Sequence, residues 1–256
     1  MKANNSFCIF SAGRSGSHLL KSLLESHPAI NCEGEIFHPT PHPPNQEWIY
    51  GNYSFLVKSS RWAQLAQRIA PLTLLNIYWE QLYSRLKHKT NKPVLGFLAW
   101  YRDTNNYPEI LRWIHRYRVK VIHLVRINQL KSLVSLAIAN RTKTFLSTHP
   151  VAPTPVRLNP KRILSELEQR DHQIANFRLH STQIPYLEVT YESLTNDREQ
   201  TLTRILKFLG QDRSYSLETH LTKINSDRLP EIITNYAEVC ATLQGTRFEN
   251  FLENGH

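Results

Sequence analysis

Apolar positions change their spacing several times along the chain. Ser6–Ser11 (SFCIFS) is a short, nearly continuous apolar run, the pattern of a strand buried on both faces. It stops at Ala12-Gly13. Over Ser17–Ser26, Leu19, Leu20, Leu23 and Leu24 recur at helical spacing, and His27-Pro28 closes the segment. The chain therefore opens as strand, tight loop, helix. Pro39–Pro44 (PTPHPP) is excluded from regular structure. Ser59–Lys89 carries a long helical pattern interrupted by Pro71. Val94–Ala99 (VLGFLA) predicts a second strand, and Pro108 starts a helix running to Arg118. Val119–Val125 (VKVIHLV) predicts a further strand, with a helix over Asn128–Phe145. His149–Pro160 holds four prolines and predicts an irregular loop. A helix over Lys161–His180, a strand over Tyr186–Thr190 and a helix over Arg198–Leu209, closed by Gly210, complete the alternation. The last forty residues read as irregular segments and short helices.

Strands alternating with helices predict an α/β fold. The expectation is a single domain over residues 1–256, with a central parallel sheet flanked by helices. Ligands in such sheets bind beyond the carboxyl ends of the strands. Two segments lie at such ends, the Ser11–His18 loop and the residues after Val125.

The 256 residues suffice for a sizeable core, and no internal repeat is found. The formal charge of +10 favours an anionic partner. The basic residues are scattered rather than clustered, which weakens a nucleic-acid reading. Three widely spaced cysteines, Cys8, Cys32 and Cys240, give neither a disulfide framework nor a zinc spacing. Cys8, inside an apolar run, is expected in the core. The N-terminal apolar stretch is too short for a signal peptide, and no run has the length of a membrane span. The default expectation is a cytoplasmic protein with no membrane partner.

In SAGRSGSH, Gly13 and Gly16 with the small Ser15 and Ser17 stand directly before a helix. Backbone N–H groups there can converge on an anion, and the helix N-terminus adds a favourable field. Arg14 supplies a planar fork of donors suited to phosphate oxygens. The loop lacks the Lys that G-x-x-x-x-G-K-[ST] places after the second glycine, and it is not G-x-G-x-x-G. Alone, it fits a tight turn before an N-capped helix equally well. His123–Ala139 (HLVRINQLKSLVSLAIA) repeats the arrangement, with Arg126 at a strand end and Ser132 and Ser135 on the next helix. These can clasp a second phosphate, or be an exposed Arg and two surface serines.

Three further segments extend the pattern: HPAINCEGEIFHP after the first helix, YLEVTYESLTND with TLTRILKFLG, and the terminal GTRFENFL. Together, in this order, they resemble the sulfotransferase family that uses 3′-phosphoadenosine-5′-phosphosulfate (PAPS), in its bacterial, carbohydrate- or natural-product-type branch. The resemblance implies a fold related to nucleotide kinases, with PAPS as donor and 3′-phosphoadenosine-5′-phosphate (PAP) as product. It implies that Arg14, Ser15, Gly16, Ser17 and His18 hold the 5′-phosphosulfate. Arg126 and Ser135, with Ser132 in reserve and Arg247 from the C-terminal loop, would hold the 3′-phosphate. Family members often carry Lys at the Arg14 position, Thr at the His18 position, and a Lys in the strand matching VLGFLAW, where this chain has Leu98. The family's Arg often directly precedes the Asn, whereas Ile127 stands between Arg126 and Asn128 here.

The resemblance also implies a mechanism. Arg14 and the loop amides would stabilise charge on the departing phosphate, and no metal is required. Glu35 in GEIF matches the family's general base, with Glu33 and His38 as alternatives. The acceptor would be a small molecule presenting a hydroxyl or an amine or carbamoyl nitrogen. Guanidinium alkaloid toxins of cyanobacteria, such as saxitoxin-type compounds, and sugars are candidates. Trp48, Tyr50, Tyr53, Trp62, Tyr78, Trp79, Trp100 and Tyr101 are divided between core and acceptor pocket on this reading. Two alternatives stand beside it. One is a small-molecule kinase with a degenerate phosphate loop, and the other is a non-enzymatic basic nucleotide- or nucleic-acid-binding protein.

Overall fold

Five apolar runs pair into one all-parallel sheet. In chain order they are β1 (Ser6–Ser11), β2 (Ile30–Glu35), β3 (Val94–Trp100), β4 (Lys120–Val125) and β5 (Tyr186–Thr190). Their order across the sheet is β2-β3-β1-β4-β5. This computed structural model describes residues 5–38, 52–149, 154–221 and 228–252. The expected irregular stretch Pro39–Pro44, Trp48 and Tyr50, and part of the His149–Pro160 loop, lie outside the described residues.

β1 is central and buried along its whole length, so its side chains alternate between two apolar layers. Cys8 and Phe10 face one layer with Leu95, Phe97, Val121 and Val125. Phe7 and Ile9 face the other with Val94, Leu98, Ile122 and Leu124. Helix α1 (Ser17–Glu25) covers the second layer through Leu20, Leu23 and Leu24. Gly96 sits beside Phe7 in the register, and a Cβ there would come within 2.2 Å of the Phe7 ring. A larger residue would push these two strands apart.

The chain continues with α2 (Tyr53–Ser59), α3 (Arg61–Ile69), α4 (Pro71–Thr90), α5 (Tyr101–Asn106), α6 (Glu109–Tyr117), α7 (Gln129–Thr142) and α8 (Pro160–His180). After β5 come α9 (Tyr191–Asn196), α10 (Arg198–Leu209), α11 (Leu229–Ile232) and α12 (Tyr236–Leu243). α4, α6 and α8 pack on the Cys8 side, and α10 joins α1 on the Phe7 side. Phe177 of α8 stacks on Phe10 of β1, with centroids 3.9 Å apart and planes 8° from parallel. α7, α8, α11 and α12 share a third apolar cluster.

Four expectations change in detail. β2 (INCEGE) was not predicted, because its alternation is confined to Ile30-Asn31-Cys32-Glu33, too short to stand out beside Gly34 and Glu35. Ser59–Lys89 is not one interrupted helix. Asn52 caps α2, Ser60 caps α3, and Pro71 begins α4 rather than breaking it. α7 stops at Thr142, before the expected Phe145, with Lys143 in the left-handed region at φ 59°. α5 and α9 follow β3 and β5 directly and are too short to show a period. Among the described residues, no helix is long and apolar enough to cross a membrane.

Candidate active site

The loop after β1 turns into α1 through two left-handed residues, Arg14 (φ 67°) and Gly16 (φ 91°). Gly16 is the N-cap of α1, and no side chain caps it. This differs from α2, α3, α7, α8 and α9, each begun by a side-chain oxygen on a backbone N–H. The anticipated tight turn does form, capped by a glycine and with no side chain on the first N–H groups. The first N–H groups of α1 remain open to a ligand. The hydroxyls of Ser11 and Ser15 are buried with no partner among the described residues. Buried polar atoms of this kind are rare unless a ligand or water completes them. Gly16 has a second constraint: a Cβ would stand 2.4 Å from Cδ2 of Tyr191.

The two anticipated phosphate sites are contiguous. Arg126, at the end of β4, donates from NH1 to the Arg14 carbonyl at 3.3 Å, and Ser132 Oγ donates to the same oxygen at 3.3 Å. Arg14 Nε donates to Ser135 Oγ at 3.1 Å, and its NH1 to the Phe145 carbonyl at 2.8 Å. The Arg126 guanidinium lies over the Tyr191 ring at 4.6 Å. Burial lowers the Arg14 pKa from its ordinary value, and the neighbouring charge of Arg126 adds to this. The α7 end differs from the α1 end: Glu192 accepts from the Ile127 and Asn128 N–H groups, and Asn128 caps Lys131. The second site thus rests on side chains, not on an open helix end.

Glu35 ends β2, and a register shift between Cys32 and Glu35 re-aims it. Its Oε1 lies 2.9 Å from Nε2 of His18, in the first turn of α1. His18 therefore has a carboxylate partner in place of a purely donor-facing role. Glu33 accepts instead from Asn31. His38 meets the Trp100 ring edge-on at 6.0 Å. Asp103, 2% exposed, accepts the Trp100 N–H at 2.9 Å, while its Oδ1 and the Trp100 Nε1 are buried without hydrogen bonds. Burial pushes the Asp103 carboxyl up to about 6, and the Glu35 charge contributes. Arg247 pairs with Asp171 of α8 at 3.0 Å and lies over the Phe248 ring. Its charge is answered there. Leu98 is fully buried in the layer under α1 and offers no charge. Tyr53, Tyr78, Trp79 and Tyr101 are core residues, Trp62 is 61% exposed, and Trp100 borders the site.

Beneath the site lies a polar network. Nε2 of buried His123 on β4 is 2.5 Å from the Tyr101 hydroxyl, and its Nδ1 is 2.6 Å from the Tyr186 hydroxyl. Glu188 accepts from Tyr186 and from both prongs of Arg178. Hydrogen bonds from His123 and Arg178 hold the Glu188 carboxyl well below its usual range.

The model of the sulfotransferase family matches residues 7–215, from β1 past α10. The chain belongs to the sulfotransferase family. Nodulation protein H of Rhizobium meliloti (strain 1021) is similar to this sulfotransferase at 22% identity, over 96% of this chain and 94% of its own. Nodulation protein H of Rhizobium tropici is 24% identical, over 96% and 92%. The crystal structure of a sulfotransferase from Alicyclobacillus acidocaldarius superposes with a TM-score of 0.51 at 15% identity, covering 97% of this chain and 95% of that one. The sulfotransferase has the α/β fold of the family, related to that of P-loop kinases. Among its described residues, no group of three or more His, Cys, Asp or Glu is arranged to hold a metal ion. Two neighbours of the site were not anticipated, Arg170 of α8, which donates to the Gly13 carbonyl at 3.3 Å, and Asp103. Neither belongs to a recognisable spacing.

Proposed function

We propose that the chain transfers a sulfuryl group from PAPS to a hydroxyl or to an amine or carbamoyl nitrogen of a small molecule. The observation carrying this reading is the junction of the two anion-binding segments through Arg14, Ser132, Ser135 and Arg126. A donor with phosphates at both 5′ and 3′ positions needs two adjacent cationic sites, and an ordinary nucleoside triphosphate does not. The open α1 end and the unpartnered Ser15 hydroxyl fit an anion on the first.

On this reading, Glu35 takes the proton of the acceptor as the acceptor oxygen or nitrogen bonds to sulfur. The bond from sulfur to the bridging phosphate oxygen breaks, and PAP leaves. Arg14 and the N–H groups of the loop stabilise the charge gathering on that oxygen. His18 holds the Glu35 carboxylate in a fixed orientation.

The test is binding and turnover together. PAP should bind far more tightly than ATP with Mg²⁺. PAPS should give sulfated product on a panel including a saxitoxin-type alkaloid and sugars. Preference for ATP would replace this reading with a kinase. Steeply salt-dependent binding of nucleic acid without turnover would replace it with a binding protein.

A further inference from the structure

A third guanidinium reaches the phosphate loop from a helix that no motif singles out. Arg170 of α8 donates from NH1 to the Gly13 carbonyl at 3.3 Å. Its placement follows from packing. Phe177 stacks on Phe10, which fixes α8 against β1. Arg170 stands seven residues before Phe177, on the same helix face and about 10 Å along the axis. Gly13 stands three residues beyond Phe10, in the turn just past the end of β1. The stacked pair thus sets Arg170 over the end of β1.

Two consecutive loop carbonyls are consequently held from behind, Gly13 by Arg170 and Arg14 by Arg126. Holding the carbonyls back leaves the following N–H groups free to face an anion. Arg170 is half-buried and spends one donor of its fork on Gly13. No carboxylate lies within salt-bridge distance of it among the described residues. Its i−4 neighbour Glu166 pairs with Arg162 instead, at 3.4 Å. Burial lowers its pKa; the more distant charge of Glu166 offsets part of this, and that of Arg126 adds to it. Arg14 likewise has no carboxylate partner among the described residues. A half-buried cation beside like charges is costly until an anion arrives.

We propose that Arg170 is a third anion-binding guanidinium of this site, one that contacts the phosphosulfate end of the donor while it braces the loop at Gly13. The identity of the donor rests on the function proposed above; the anion contact itself does not.

The experiment compares wild type, Arg170→Gln and Arg170→Lys by three measurements: affinity for PAP and for inorganic pyrophosphate, turnover with PAPS, and thermal midpoint. Loss of a charge-assisted contact predicts that Arg170→Gln weakens pyrophosphate binding and kcat/KM by about 10- to 100-fold. Lysine keeps the charge and one donor for Gly13, but not the fork. Arg170→Lys should therefore keep the wild-type thermal midpoint and still lose several-fold in anion affinity. If Arg170→Lys matches wild type in every measurement, Arg170 is a brace alone and the proposal falls. It falls equally if Arg170→Gln binds pyrophosphate as wild type does. Wild type binding pyrophosphate through Arg170 but failing to bind PAP would overturn the choice of donor and support the anion site.

Discussion

The His18–Glu35 pair allows the proposed proton transfer to be tested as a two-residue cycle. The side chains are 30% and 18% exposed, with Nε2 and Oε1 2.9 Å apart. Glu35→Gln keeps the shape and an oxygen facing His18, but removes the ability to take a proton. A positioned general base contributes about 10²- to 10⁴-fold, so kcat at saturating PAPS and acceptor should fall by that factor. PAP affinity should stay within about threefold, since no loop contact is touched. His18→Ala leaves the carboxylate in place but free to rotate. A hydrogen bond to a charged group is worth about 1.5–3 kcal/mol, which caps the loss near 10- to 100-fold. The double variant should be no slower than Glu35→Gln alone, because His18 acts through Glu35. Steady-state turnover with calorimetric PAP binding reads all four corners. Multiplying losses would show that His18 works independently, as a donor contact. Turnover of Glu35→Gln within threefold of wild type would refute the base assignment outright.

Gly16→Ala places a Cβ in the left-handed region, costing about 1–2 kcal/mol, and drives it into the Tyr191 ring 2.4 Å away. Both the thermal midpoint and PAP affinity should drop, whereas a drop in the midpoint alone would separate Tyr191 from the donor site. Asp103→Asn tests the buried carboxyl. Its folded pKa, about 6, lies above the ordinary value of 3.8, so the folded state holds the proton longer than the unfolded chain. Stability from this group is fully present below about pH 4 and is lost as pH rises toward 6, by on the order of 2–3 kcal/mol. The Asn side chain can still accept the Trp100 N–H, so denaturant unfolding should show the variant gaining on wild type between pH 4.5 and 7.5. A difference that does not change with pH would mean Asp103 is not held protonated by its surroundings.

Central elements of the fold were legible because two buried faces impose a strong pattern. β1 has the expected bounds, and β4 differs only in starting at Lys120 rather than Val119; β5, an edge strand, also has the expected bounds, read from its apolar Tyr186, Leu187 and Val189. β2 was hidden for the opposite reason. Only Ile30 and Cys32 of its six residues are buried apolar positions, packed in the layer under α1, and Asn31, Glu33, Gly34 and Glu35 make up the rest. The short helices α5 and α9 are set by caps rather than by amphipathic periods. Asp103 accepts the Trp100 N–H, and Thr190 accepts the Ser193 N–H. Such local chemistry is visible in a sequence only once the preceding strand is placed.

The site divides along the same line. Arg14 and Arg126 were legible because they stand in the segments just after β1 and β4, and Ser132 and Ser135 because they lie in the first two turns of the helix that follows β4. Arg170 and Asp103 were not, because their positions depend on packing between distant segments. Arg170 reaches the loop across 157 residues of chain, and its register comes from one aromatic stack. The consequence concerns charge. The motif residues describe an anion site with Arg14, Arg126 and Arg247, while the folded loop is gripped by Arg126 and Arg170, carries Arg14 itself, and leaves Arg247 paired with Asp171. Arg126 repels both Arg14 and Arg170, and among the described residues neither of the two has a carboxylate within salt-bridge distance, Glu35 and Glu166 attracting them only from farther off. A polyanionic ligand should therefore stabilise the whole β1–α1 region more than any single contact would. Added pyrophosphate should raise the thermal midpoint of wild type, and should raise that of Arg170→Gln by less.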